Sequence, residues 1–155
     1  MIALNPVGYV RTTREGTEDD NWGEVESIIE LRGSLSEECL DGIEEFSHAE
    51  IIFVFDQIGE NAVVAGRRHP RNNPDWPKVG IFAQRASRRP NRLGVTMVRI
   101  LGRDGARLRV QGLDAADGTP VVDIKPVMAE FLPREPVRQP EWSHELMRSY
   151  WRDNR

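Results

Sequence analysis

Residues 49–58 read AEIIFVFDQI, and the unbroken apolar run at their centre is what most limits the fold. β-branched and aromatic side chains in so short a stretch belong to a strand, and a run that is apolar at both parities asks for cover on both faces. Residues 2–10 and 25–32 alternate as strands do, and residues 79–84, 94–101, 106–112 and 120–124 are further candidates. Arg-Asp-Gly at 103–105 and Asp-Gly-Thr-Pro at 117–120 supply turns in which glycine can take positive φ. Only two helices compete. Residues 34–45 place Ser34 and Glu37 at capping-box spacing, with Leu35, Cys39, Leu40 and Ile43 on one face, so Cys39 reads as a core residue and Gly42 as a weak point. Residues 140–152 start on Pro140 and carry a stripe of Trp142, Leu146, Met147, Tyr150 and Trp151 suited to docking. Short strands, tight turns and few helices predict a mostly-β domain, closed as a barrel or stacked as a sandwich.

The chain has 155 residues, which suits one domain. A single cysteine excludes an internal disulfide, and the N-terminus lacks a basic-then-apolar leader, so a cytoplasmic location is expected. No apolar run is long enough to span a membrane. His48, His69 and His144 show no metal-ligand spacing, so no metal is expected, and no glycine-rich nucleotide fingerprint or nucleophile elbow is present.

Charge is unevenly placed. The net charge is −4, yet Arg67 to Arg92 holds eight Lys/Arg against one acid, Asp75. Four of these, Arg85, Arg88, Arg89 and Arg92, crowd into GIFAQRASRRPNRLGVT, residues 80–96, between two apolar stretches. Either the arginines of the Arg67–Arg92 segment pair with the surplus carboxylates elsewhere, or the segment forms a local anion site. Asp114 and Asp117 flank a turn, where aspartate is favoured for capping backbone N–H groups. Asp123 interrupts the apolar Val121-Val122-Asp123-Ile124 and shares a face with Lys125. It is either ion-paired or part of a site, because a carboxylate there is otherwise costly. Residues 59–78, rich in Gly, Pro and Asn, form a long loop of a kind that is often functional. Unaided, these residues fit an RNA-binding module as well as an enzyme that holds phosphate or carboxylate.

Four ordered blocks carry a resemblance: NPVGYVR (5–11), IEEFSHAEIIFVF (43–55), VGIFAQRASRRPNRLGVTMVRILG (79–102) and GLDAADGTPVVDIKPVM (112–128). They resemble the TsaA-like family of TrmO-type tRNA methyltransferases. The resemblance implies a single-domain β-barrel over residues 1–135, with residues 136–155 as a helical extension packing on the barrel or a partner subunit. It also implies a homodimer that binds S-adenosylmethionine and methylates the exocyclic amine of threonylcarbamoyl-adenosine beside the anticodon of tRNA. Carried over, the cofactor contacts fall on Ser47, His48, Arg85, Val95, Ala116, Asp117, Gly118 and Thr119. Pro90 and Asn91 would fix the loop path, and Asn91 would join Arg88, Arg89 and Arg92 in meeting RNA. Asp123 would orient the amine or accept its proton. This chain departs from the family pattern at Ala86, Arg88 and Arg92, which stand for a serine, a histidine and a proline, and at the acidic Glu18-Asp19-Asp20. The alternatives are a methyltransferase of the same fold acting on a small anionic substrate, or a cofactor- or RNA-binding protein without turnover.

Overall fold

A computed structural model describes residues 1–152 of the chain. The strands are β1 (Gly8–Arg11), β2 (Glu26–Leu31), β3 (His48–Val54), β4 (Arg67–Arg68), β5 (Val79–Gly80), β6 (Leu93–Asp104), β7 (Arg107–Gln111) and β8 (Pro120–Pro126), followed by one helix, α1 (Glu141–Met147). Six strands close a barrel in the order β1-β2-β7-β6-β3-β8, with β1 pairing back onto β8, while β4 and β5 form a separate two-stranded ribbon. The mostly-β barrel expected from the sequence is therefore the fold.

Closure follows from period-two patterning. β2 turns Ser27, Ile29 and Leu31 inward and β7 turns Leu108 and Val110 inward, with arginines between them outside. In β3, Ala49, Ile51 and Phe53 are buried while Glu50, Ile52 and Val54 are only half-covered, so the strand is dry on its inner face alone. The β6–β7 hairpin turns at Gly105, φ 60°, as Arg-Asp-Gly predicts.

Several local expectations are corrected. Residues 34–45 form no α-helix but two 3-10 turns, Glu37–Leu40 and Ile43–Glu45. Ser36 caps the first, its hydroxyl accepting the Glu38 N–H at 3.1 Å, and Gly42 at φ 84° redirects the chain before the second. Leu40 is buried but Cys39 is exposed, so the cysteine is not a core residue. Strand structure within residues 2–10 begins only at Gly8, beyond Pro6, which has no N–H to pair. Residues 79–84 contribute only Val79–Gly80 as strand before a 3-10 turn over Ile81–Ala83. The helix expected over 140–152 is confined to Glu141–Met147. Past it the chain runs back against residues 21–22, whose amides donate to the Ser149 and Tyr150 carbonyls. Residues 153–155 of the expected extension lie outside the described residues.

Candidate functional site

The linker from β7 to β8 passes beside β6 and crosses to β1. Leu113 and Ala115 are buried in it, and Gly118 at φ 84° reverses the chain. The Gly118 N–H donates to the Val10 carbonyl at 2.7 Å, and both the amide and the hydroxyl of Thr119 donate to the Ala116 carbonyl. Asp117 Oδ1 accepts the Thr12 N–H at 3.0 Å, so Asp117 is the turn cap that its position suggested. Ala116 and Asp117 then line an open cleft of about 560 Å³ together with residues 12–17 and Gln57. Internal bonds occupy most of the turn. The Asp117 N–H and Oδ2 have no hydrogen-bond partner among the described residues.

The wall formed by residues 12–17 is organised by a cation. The Arg14 guanidinium lies over the Trp22 ring, 3.5 Å from its centroid, and donates to the carbonyls of Glu18, Asp20 and Asn21. The acidic run beside it has its own partner: Arg71 meets Asp20 at 3.1 Å and Asp19 at 3.7 Å. Acid at these positions thus pins the long 59–78 loop to the wall. Trp76 of that loop donates its indole N–H to Glu145 of α1 at 2.9 Å.

Behind the turn, Asp114 does not cap backbone. Its two carboxylate oxygens accept the hydroxyls of Thr96 and Tyr150. Burial, then the Asp114 charge and the hydrogen bond to it, raise the Tyr150 phenol well above its ordinary range, with Arg85 and Arg71 opposing.

The arginine loop is not neutralised. Arg85 donates to the Val95 carbonyl at 2.6 Å, Arg89 to the Gln84 carbonyl at 2.6 Å and Arg92 to the Ile58 carbonyl. The Arg88 side chain is exposed and has no hydrogen-bond or ion-pair partner among the described residues. Among those residues none of the four arginines has a carboxylate within salt-bridge distance, so the ion-pair alternative holds for Arg71 but fails for these four. After Pro90, Asn91 and Arg92 are both left-handed, φ 64° and 51°, a conformation asparagine tolerates and arginine adopts at some cost.

The fold gathers some expected site residues and separates others. Arg85, Val95 and the 116–119 turn converge at one end of the barrel. Asp123 sits on the outer face with Ile52 and Val95, since Ile52 pairs with both. It is half-exposed and 3.4 Å from Lys125 Nζ, so ion pairing removes the cost of a lone carboxylate. Ser47 and His48, joined by a 2.6 Å hydrogen bond, are exposed at the start of β3. His48 precedes Ile52 by four residues, about 13 Å at the usual rise of a strand. Sequence reading missed Thr12, Arg14, Gln57 and Thr96, and read Tyr150 as part of a docking stripe rather than as a partner of Asp114. The available signal was the polar Thr96 at an inward position of β6. Among the described residues no group of three or more His, Cys, Asp and Glu gathers as a metal site would, and no helix is long and apolar enough to cross a membrane.

The model of the tRNA-methyltransferase O N-terminal domain matches residues 15–131. A Pyrococcus abyssi protein named "Probable S-adenosyl-L-methionine-binding protein" is 35% identical over 143 residues, covering 89% of this chain and 74% of the relative. The mouse tRNA (adenine(37)-N6)-methyltransferase is 41% identical over 138 residues, covering 84% of this chain but 32% of that protein. The crystal structure of TrmO from Pseudomonas aeruginosa superposes with TM-score 0.71 at 29% identity, covering 89% of this chain and 61% of that one. The chain thus spans about a third of the mouse enzyme and about three-fifths of the solved TrmO chain. On its closed barrel, its four ordered blocks and the matched domain, the chain belongs to the tRNA-methyltransferase O N-terminal domain family.

Proposed function

We propose that the chain is an S-adenosylmethionine-dependent methyltransferase acting on the exocyclic amine of threonylcarbamoyl-adenosine beside the anticodon of tRNA, as a cytoplasmic homodimer. The observation that carries this reading is an open cleft with Arg92 held at Ile58, next to its lining residue Gln57, in a loop whose four arginines lack carboxylate partners among the described residues. The cleft lies within the range of about 300–1,000 Å³ that suits small-molecule ligands, and its lining offers the Asp117 amide and carboxylate for an adenine edge or ribose hydroxyl.

When bound, S-adenosylmethionine supplies a methyl group activated by its sulfonium. The chain's residues supply position. The Ala116–Thr119 turn, with Val95 beside it, holds the nucleoside part, and Arg85 holds the carboxylate. Asn91 keeps the loop path, and Arg88, Arg89 and Arg92 receive RNA phosphates through charge-assisted hydrogen bonds. Asp123, paired with Lys125, orients the amine and takes its proton on a carboxylate oxygen. Alignment of amine and methyl group provides most of the acceleration. Ser47 and His48 stand at the far end of β3, and a cofactor held at the turn would meet them only from a second subunit. Exposed Phe82, Met97, Phe131 and Val137 provide apolar surface for such a copy to cover.

The test is methyl transfer from labelled S-adenosylmethionine to total tRNA and, separately, to a small-molecule extract. Label mapped by nucleoside mass spectrometry to the modified adenosine beside the anticodon is the expected result. Cold tRNA with a labelled small anion moves the reaction to another acceptor. Cofactor binding without any labelled acceptor makes the chain a binding protein.

A further inference from the structure

We infer that Tyr150 is a positioning residue for the cofactor cleft, and that residues 149–151 clasp its two walls together. This rests on the cofactor reading above but concerns residues beyond the matched domain, which ends at 131. One wall is reached through the backbone: Asn21 N–H donates to the Ser149 carbonyl at 3.1 Å and Trp22 N–H to the Tyr150 carbonyl at 2.8 Å. Trp22 is buried, 4% exposed, and carries Arg14 on its ring, which in turn holds the carbonyls of the 18–21 segment. The other wall is reached through the side chain: the Tyr150 hydroxyl donates to Asp114, two residues before the turn begins.

The approach is too close for chance drift along the surface. A Cβ at Gly23 would lie 2.2 Å from the Trp151 carbonyl oxygen, so the glycine is what admits the clasp. The barrel does not need this segment for its core, which among the described residues draws on nothing after Ile124. A phenol set on a buried-side carboxylate is a specific, directional contact rather than filling, and it leaves Asp114 with a donor on each oxygen. Asp114 so fixed sets where the backbone of Ala116 and Asp117 stands relative to residues 12–17.

Tyr150→Phe removes the hydroxyl and keeps the ring. Calorimetric titration with S-adenosylmethionine is expected to show a dissociation constant weakened about tenfold, the value of one charge-assisted hydrogen bond, with the same number of sites per chain. Asp114→Asn should weaken binding similarly, and Tyr150→Phe added to it should change little further, because the two act as a unit. A merely destabilised protein would instead titrate with fewer sites at an unchanged constant, and that result overturns the inference, as does strict additivity. Amide hydrogen exchange without cofactor gives an independent arm: Thr12 and Gly118 should exchange faster in Tyr150→Phe. If the wild type itself does not bind S-adenosylmethionine, the cofactor reading falls, and unchanged exchange at both walls then overturns the clasp as well.

Discussion

Gly94→Ala adds one methyl group where the barrel has no room for it. Gly94 pairs with Phe53 across β6 and β3. A Cβ there would lie 2.6 and 2.7 Å from Phe53 ring atoms and 2.8 Å from Cζ of Phe55. The two rings stack edge-on, centroids 5.2 Å apart at 77°, and Phe53 is 1% exposed, so neither ring can yield without disturbing the other. Overpacking of this kind costs about 2 kcal/mol, and with a urea dependence of about 2 kcal/mol per molar for a domain this size, the midpoint should fall by about 1 M. Equilibrium urea unfolding, followed by tryptophan fluorescence, measures it. Phe55→Leu removes part of the obstruction, so Gly94→Ala/Phe55→Leu should be less destabilised than the sum of its parts by about 1 kcal/mol. The next carbonyl, at Val95, anchors Arg85, so arginine-loop geometry should shift with the single substitution. An unchanged midpoint for Gly94→Ala, or additive behaviour in the double variant, would refute the claim that ring contact is what keeps position 94 bare.

Other expectations follow from single contacts. Gly23→Ala drives its methyl against the Trp151 backbone carbonyl, so residues 149–151 should lift and the Trp22 amide should lose its exchange protection. Asp20→Asn removes one partner of a partly exposed Arg71 and should cost under about 1 kcal/mol in thermal stability, while loosening the 59–78 loop to limited proteolysis. Because the Tyr150 phenol is raised above its unfolded value of about 10, its contribution is complete below that pH and fades as pH climbs toward the folded value. Stability of the wild type relative to Tyr150→Phe, measured by urea unfolding, should therefore be constant from neutral pH to about 10 and shrink above it.

The strands were legible because their information is local. Alternation in 26–31 and 107–111 and the turn glycines at 105 and 118 state the barrel's pleat and two of its reversals directly. The false helix at 34–45 shows the limit of spacing arguments. Leu35, Leu40 and Ile43 suit successive 3-10 turns as well as one α-helical face, and Gly42, read as a weak point, is in fact a reversal. Asp123 was legible as a pair with Lys125 because period two places both on one face. The Thr96–Asp114–Tyr150 cluster was not legible, since its members come from a strand, a linker and a terminal segment that meet only once the barrel is closed. Asp114 and Asp117 look alike in the sequence, yet Asp117 caps a backbone amide and Asp114 binds two hydroxyls.

The same distinction separates the arginines, and it can be measured. Arg92 is already engaged, its guanidinium holding the Ile58 carbonyl between β3 and the long loop, whereas Arg88 is exposed with no side-chain partner among the described residues. If RNA phosphates are what the loop receives, Arg88 can meet one without giving up an existing bond. Removing one phosphate-binding side chain lowers the slope of log affinity against log salt by about 0.7 to 0.9. Arg88→Ala should therefore flatten the slope for tRNA by about that amount and leave the urea midpoint where it was. Arg92→Ala should do the opposite, lowering the midpoint as Ile58 loses its donor while changing the slope less. Filter binding from low to moderate salt, paired with urea unfolding of the same three proteins, reads both quantities. Equal slopes for wild type and Arg88→Ala would mean that the most available arginine of the loop meets no phosphate, and the positive surface would then have to serve an anion smaller than tRNA.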